Sequence, residues 1–411
     1  MKIKFPLIVL FFFCPTSTLL KAQETKKTLE GTAKALQKFN VSGYIQAQYQ
    51  YGGKDADGVN VGNDINAWEK ENEDGFSRFG IRRGRIKLTY TDSLVEGVFQ
   101  PDITERGISV KDVYLSIKDP FWGTNALKAG IFNCPFGNEV GYSSARRESP
   151  ERSRIIQSLF PDGRDAGAML TLQAAKNSPW NILKLEAGIF AGNGIRPEID
   201  SKMDFIGHLS AKKIVGNMEI SGGISAYLGG VFQGNDTVYV MKNNEWEIDS
   251  NTGNKGNFAK RRYIGADLQY SITTVAGLTQ FRGEYILGEH PGTVDEAYDF
   301  KLTALPTNKT FMRNISGGYV IVTQELGALP FTLVAKYDWY NPNTNVSGNN
   351  IKGAGEIMKS TIGLGAFWRI NNALRLTAYY EFVKNETSEN LNGYEKDCKD
   401  NVFTFRLQYR F

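Results

Sequence analysis

The first stretch of this 411-residue chain with the makings of a binding surface is Arg78-Phe79-Gly80-Ile81-Arg82-Arg83-Gly84-Arg85-Ile86-Lys87. A guanidinium group is planar, stays charged at any cellular pH, and presents a fork that matches two oxygens of a phosphate or carboxylate. Apolar residues fall on odd positions at Phe79 and Ile81 but on even positions at Ile86, Leu88 and Tyr90. A strand with that pattern must change register, and a bulge near Arg82-Arg83-Gly84 would do it. Arg78, Arg82 or Arg83, Arg85 and Lys87 would then share one face, as a column suited to oxyanions.

A second charged constellation runs from Cys134 to Asp165. It carries Arg146, Arg147, Arg152, Arg154 and Arg164 beside Glu139, Glu148, Glu151, Asp162 and Asp165. Two readings are open: a solvated mixed-charge surface, or a loop folded into an interior whose charges narrow and select a passage. Catalytic patterns are missing. The only histidines are His208 and His290, and no C-x-x-C, H-E-x-x-H, G-x-S-x-G or Walker loop is present. His208 can share a polar strand face with Asp204 and Ser210, and His290 has no visible partner. No catalytic residue, metal ligand or cofactor is assigned.

The elements that would position these residues are strands. The closing stretch Asn401 to Phe411 alternates without error, with Phe403, Phe405, Leu407, Tyr409 and Phe411 on one face and Thr404, Arg406, Gln408 and Arg410 on the other. The same rhythm opens the series at Val41 to Tyr51, where Gln46, Gln48 and Gln50 face away from Ile45, Ala47 and Tyr49. A glutamine row behind an apolar row suits a strand between lipid and a wet lumen. Between these lie Arg78 to Thr91, Leu94 to Gln100, Val110 to Lys118, Leu127 to Asn133, Asp165 to Gln173, Ile182 to Phe190, Asp204 to Ile214 and Met218 to Leu228. Arg262 to Ile272, Leu278 to Leu287, Asn314 to Gln324, Phe331 to Tyr340, Thr361 to Ile370 and Leu374 to Val383 complete about sixteen, an even number as bacterial barrels require. Connections alternate over most of the chain between short ones, such as Asp92-Ser93 and Asn371 to Ala373, and long ones, such as Gly52 to Asp74, Cys134 to Arg164 and Gly229 to Arg261. Tight turns on one rim and large loops on the other are expected of a transmembrane antiparallel β-barrel.

Composition agrees. With 43 glycines, 25 phenylalanines and 19 tyrosines but 13 prolines, the chain suits many strands joined by turns. The start, Met1-Lys2-Ile3-Lys4 followed by the apolar run Phe5 to Phe13, has the form of a secretory signal. The expected division is a signal peptide over 1–22, a short periplasmic extension over 23–38 and a barrel over 39–411. Leu29, Ala33, Leu36 and Phe39 are spaced for a short amphipathic helix, and a poorly ordered extension is equally open. Removing residues 1–22 takes away three lysines and no acid, which leaves the remainder almost neutral and gives no ground for a nucleic-acid partner. Two cysteines then remain, Cys134 and Cys398. No disulfide framework is expected, and geometry decides whether that one pair is joined.

The closing aromatic strand resembles the terminal strand of outer-membrane barrels, the part that the insertion machinery reads. Over nearly the whole remaining sequence the chain resembles the phosphate-selective porin O and P family. The resemblance rests on Arg82-Arg83-Gly84-Arg85, Asp112-Val113-Tyr114, Gly130-Ile131-Phe132 with Pro135-Phe136-Gly137, Glu151-Arg152-Ser153, and Gly163-Arg164-Asp165-Ala166-Gly167. Gly283-Glu284-Tyr285, Gly318-Tyr319, Lys336-Tyr337-Asp338-Trp339-Tyr340 and Tyr379-Tyr380-Glu381 follow in order. The resemblance implies a sixteen-stranded outer-membrane porin, usually a homotrimer, whose inward third loop and lumen arginines conduct small anions such as phosphate. On that reading Arg78, Arg82, Arg83, Arg85 and Lys87 line the pore, and Arg146, Arg147, Arg152, Arg154, Arg164, Glu148 and Glu151 shape the constriction. Outer-membrane lipid is the surrounding partner. A lipase-like barrel enzyme and a filled structural or adhesive barrel are the alternatives.

Overall fold

The computed structural model describes residues 36–56, 74–296 and 304–411. The expected signal segment and most of the extension over 23–38 lie outside the described residues. The barrel begins with β1 (Phe39–Gly52) and continues through β2 (Phe76–Asp92), β3 (Val95–Thr104), β4 (Gly107–Lys118), β5 (Ala126–Asn133), β6 (Arg164–Gln173), β7 (Leu183–Phe190), β8 (Asp204–Val215) and β9 (Met218–Phe232). A hairpin, β10 (Thr237–Lys242) and β11 (Glu245–Ser250), precedes β12 (Phe258–Thr274), β13 (Gly277–Gly292), β14 (Thr310–Glu325), β15 (Phe331–Asn341), β16 (Lys359–Arg369), β17 (Leu374–Asn385) and β18 (Val402–Arg410).

Each barrel strand pairs antiparallel with its neighbours, and β1 pairs with both β2 and β18, from Tyr44 opposite Arg410 to Gly52 opposite Val402. Those pairings close the barrel and leave neither terminal strand with a free edge. Side chains sort as alternation demands. Phe405, Leu407 and Tyr409 are exposed on the outer wall, while Thr404, Arg406 and Gln408 are buried on the inner one. Ile224, Leu364 and many other outer residues are likewise exposed apolar groups, a surface that only a hydrocarbon surround accounts for at this extent. Sixteen strands form the barrel, as the alternation predicted.

Two local expectations are corrected. Residues 229–261 are not a plain loop, because β9 and β12 run on into it and it holds the β10–β11 hairpin. Asn243 and Asn244 both take positive φ at its turn, as a tight two-residue hairpin requires. The hairpin is held by a parallel pairing of β10 with the start of β14. The segment 101–109, between the expected third and fourth strands, is mostly strand, with only Glu105 and Arg106 as the turn.

The main core lies inside the barrel. The loop between β5 and β6, residues 134–163, folds inward and carries a short helix, α1 (Arg154–Leu159). Ile155, Ile156 and Leu159 lie on one face of α1 and pack with Phe136, Val140 and Phe160 against Phe190, Ile206, Tyr227, Tyr263, Ile286 and Tyr340 of the wall. Burying each large apolar side chain there contributes roughly 1.5–3 kcal/mol. The Arg154 amide, unpaired within α1, donates to Asp338 Oδ1 on β15 at 3.1 Å.

Cys134 is buried in this core and Cys398 lies in the last long loop; both are free thiols. Phe160→Ala is expected to cost about 3–5 kcal/mol of docking free energy, and a small thiol reagent should then label Cys134 faster while Cys398 labels unchanged. Gly130 in β5 has φ of +128°, and a Cβ there would sit 2.2 Å from the Val113 carbonyl oxygen. Gly130→Val should therefore cost about 1–3 kcal/mol, read as a lower temperature for loss of the folded barrel's electrophoretic mobility.

Candidate pore and its inward loop

The pairing of β1 with β2 jumps from Gln46 opposite Arg83 to Ala47 opposite Ile81, so Arg82 is the extra residue of a bulge. The consequence is that Arg82 and Arg83 both turn inward, where alternation would have sent one of them out. Both reach one carboxylate on the loop. Arg82 Nε and Nη2 donate to Glu151 Oε1 and Oε2, each at 2.8 Å, and Arg83 Nη2 donates to Oε2 at 2.8 Å. Arg406 of β18 adds a third guanidinium, with Nη2 at 3.1 Å from Oε1. Gln46 and Gln48, from the glutamine row of β1, accept from Arg83 and Arg406. Burial opposes ionisation of Glu151, which is 3% exposed. The three guanidiniums outweigh it and hold the carboxyl well below its usual range.

Arg85 donates to Asp102 Oδ2 at 2.9 Å and to Ser144 Oγ at 3.2 Å. Arg78 donates to Gln50 at 3.3 Å and lies over the Phe76 ring. Lys87, at the end of the same inner row, faces open cavity.

A second bulge repeats the arrangement on β4. Its pairing with β3 jumps from Asp112 opposite Gln100 to Val110 opposite Pro101, which leaves Lys111 as the extra residue. Lys111 reaches Asp162 of the loop at 3.1 Å, and the adjacent Asp112 accepts both Arg164 Nε at 2.8 Å and Nη2 at 3.1 Å. The parity of apolar residues switches here as it does in β2, from Ile108 and Val110 to Val113, Leu115 and Ile117. That switch is the sequence signal for Lys111, and the expectations drawn from β2 did not extend to it.

The remaining loop charges are spread around the lumen. Glu148 pairs with Arg282 of β13 and accepts from the Tyr142 hydroxyl at 3.0 Å. Arg152 donates to the Val140 carbonyl at 2.9 Å. Arg147 and Arg154 are buried at 4% and 3% exposure, whereas Arg146 is exposed. Arg406, Arg282 and Arg375, which all hold the loop, are marked in the sequence only as polar members of alternating strands. His208 does not meet Asp204. Residues four apart on a strand lie roughly 13 Å from each other, and His208 instead bonds Asp267 Oδ2 across the sheet at 2.9 Å. Asp204 is taken by Arg261 and Tyr227. Among the described residues no group of His, Cys, Asp or Glu is arranged to hold a metal.

Beneath the loop, at the short-turn end marked by Asn372 and Ala373, lie two cavities of about 640 Å³ and 490 Å³ that share Arg146 and Arg410. A third, of about 260 Å³, adjoins the first through Lys87, Asp112 and Asn133. Together they form a wet arc inside the wall, bounded above by the loop.

This architecture is similar to solved outer-membrane proteins. OprB of Pseudomonas putida covers 93% of this chain and 97% of its own at 10% identity, with a TM-score of 0.60. An anion-selective porin from Comamonas acidovorans covers 91% and 99% at 12% identity, with a TM-score of 0.54. The trimer form of OmpT, an outer membrane protein of Vibrio cholerae, covers 91% and 99% at 14% identity, with a TM-score of 0.52. At these identities the likeness concerns fold alone. No curated protein sequence matches the chain. The phosphate-selective porin O and P family matches residues 58–411, and with the closed sixteen-stranded barrel and inward loop this places the chain in that family, as an outer-membrane porin and a channel rather than an enzyme.

Proposed function

We propose that this porin passes small hydrophilic anions, phosphate or polyphosphate among them, passively through its lumen. The observation that carries this reading is the charge balance of the joined cavities. Their acids are already paired: Asp112 with Arg164, Glu148 with Arg282, Glu186 with Lys184 and Glu325 with Arg369. Among the described residues Lys87, Lys128, Arg146 and Arg410 face the same space with no acid in salt-bridge reach. An unpaired cation in a confined wet space lowers the barrier for an anion and raises it for a cation.

On this reading Arg78, Arg82, Arg83, Arg85 and Lys87 form the anion-binding side of the wall. Arg146, Arg147, Arg152, Arg154, Arg164, Glu148 and Glu151 belong to the constriction that the loop makes. The functional unit is a homotrimer in the outer membrane, exported with a cleaved signal over residues 1–22, and the insertion machinery recognises β18 with Phe411. The trimer form of OmpT supports the assembly state. The anion selectivity of the similar porin from Comamonas acidovorans supports the ion preference.

Reversal potential in a planar bilayer under a potassium chloride gradient tests the proposal, and anion selectivity is the expected result. Lys87→Gln, Arg146→Gln and Arg410→Gln each remove on the order of 1 kcal/mol of contact attraction for an anion in water. Combined, they should bring the reversal potential close to zero, and a wild-type potential of the cation-selective sign would end the anion reading. Trimer formation is checked by mass measurement in detergent, with about three chains per particle expected.

A further inference from the structure

The inward loop is held in two different ways. Its ends, around Phe136 to Val140 and Ile155 to Phe160, are embedded in the aromatic core of the wall. The stretch between, residues 141–153, contributes no side chain to that core. Its contacts with the wall are polar, among them Ser144 to Tyr44 and Arg85, the Ala145 carbonyl to Gln408, the Arg147 carbonyl to Arg375, Glu148 to Arg282, the Pro150 carbonyl to Arg406, and Glu151 to Arg82, Arg83 and Arg406.

The Glu151 contact has the chemistry of a ligand in a binding site. Three guanidiniums from the two strands that flank β1, β2 and β18, converge on a carboxylate with N···O distances of 2.8–3.1 Å. One of them, Arg82, is delivered by the bulge and clasps both oxygens. A carboxylate and a phosphate offer similar oxygens to such a fork. We propose that Arg82, Arg83 and Arg406 form an oxyanion site that Glu151 occupies as an internal ligand, and that a permeating oxyanion displaces Glu151 and with it the polar middle of the loop. This deepens the anion-channel reading and rests on it: the loop becomes a gate that its own substrate class opens. Chloride, a single centre, offers one acceptor where a carboxylate or phosphate gives the fork two oxygens, and does not compete as well.

The isosteric Glu151→Gln removes the charge and keeps the shape. Glu148→Gln is the control, since it breaks a different ion pair of the same stretch, to Arg282. In planar bilayers carrying chloride current, inorganic phosphate should reach its half-maximal effect on the current of Glu151→Gln at a concentration at least tenfold lower than on that of the wild type. Glu148→Gln should stay near the wild-type value, and adding Arg406→Gln to Glu151→Gln should reverse most of the gain. Equal phosphate sensitivity in Glu151→Gln and the wild type overturns the proposal, as does an equal gain in Glu148→Gln, which would mean that loosening the loop suffices.

A second measurement keeps Glu151. Ser149, 2% exposed, is replaced as Ser149→Cys in a Cys398→Ser chain. Phosphate, and not chloride at equal ionic strength, should speed its labelling by a small thiol reagent, and no difference between the two salts overturns displacement. The wild-type reversal potential is read separately, so a cation-selective channel would end the anion reading while leaving the phosphate comparison to judge the site.

Discussion

A strand that crosses hydrocarbon must find a partner for every backbone N–H and C=O, because no solvent there will take them. The pairing of β1 with β18 meets that demand at the point where the sheet would otherwise have edges. Closure then determines the character of everything else. Once the outer face is committed to lipid, every second residue of each strand is committed to the interior, whatever its polarity. The interior of sixteen strands is too wide for those side chains to fill. The loop from β5 to β6 occupies the space, and the wall is polarised to receive it: aromatic and aliphatic along β7–β9 and β12–β15, and rich in arginine and glutamine along β1, β2 and β18.

Strict alternation leaves a designer of such a wall with one inward residue in two. The bulges in β2 and β4 are the local exceptions, and both are spent on the loop. Each turns two consecutive residues inward, Arg82 with Arg83 and Lys111 with Asp112, and each pair meets charged groups of the loop or its C-terminal end. A regular strand presents neighbouring inward side chains about 7 Å apart, and a bulge brings two consecutive ones to bear on the same point of the loop. The extra residue is unpaired in the ladder, and its side chain's contact with the loop compensates for the disruption.

The strand pattern was legible because its physical cause is simple. Lipid selects for one face, and the period of two follows, so Val41 to Tyr51 and Val402 to Phe411 could be read with nothing but alternation. The β2 bulge was legible for the same reason, as a switch in parity. What alternation cannot reveal is who meets whom across the lumen. His208 and Asp204 share a strand face but not a contact, because the partner of an inward residue comes from a neighbouring strand or the loop. Gly223 illustrates how indirect that choice is, since a Cβ there would lie 2.2 Å from His208 Nε2. The absent side chain of β9 leaves room for the imidazole to reach Asp267. The partners of Glu151 were hidden similarly, since Arg406 lies 255 positions away and carried no signal beyond being polar. The β10–β11 hairpin was not legible because an unpatterned loop and a short strand pair differ by only a few residues, and its anchoring strand, β14, lies far along the chain.

A column of arginines in a sequence suggests an anion track, but charge acts through what remains after pairing. Here Arg82, Arg83 and Arg85 are largely spent on Glu151 and Asp102, and the side chains left with uncompensated charge stand lower, at Lys87, Arg146 and Arg410. Two different tasks are thereby divided between two levels of one wall. Unpaired cations in wet cavities act at a distance and favour any small anion. Paired guanidiniums around a carboxylate act only on contact, and only on a group whose oxygens can replace that carboxylate. A pore needs weak attraction along its length and discrimination at one place, since uniform tight binding would stop conduction. On the proposed reading, placing the arginines under an internal acid meets both demands, because their attraction is withheld until an anion of the right shape arrives.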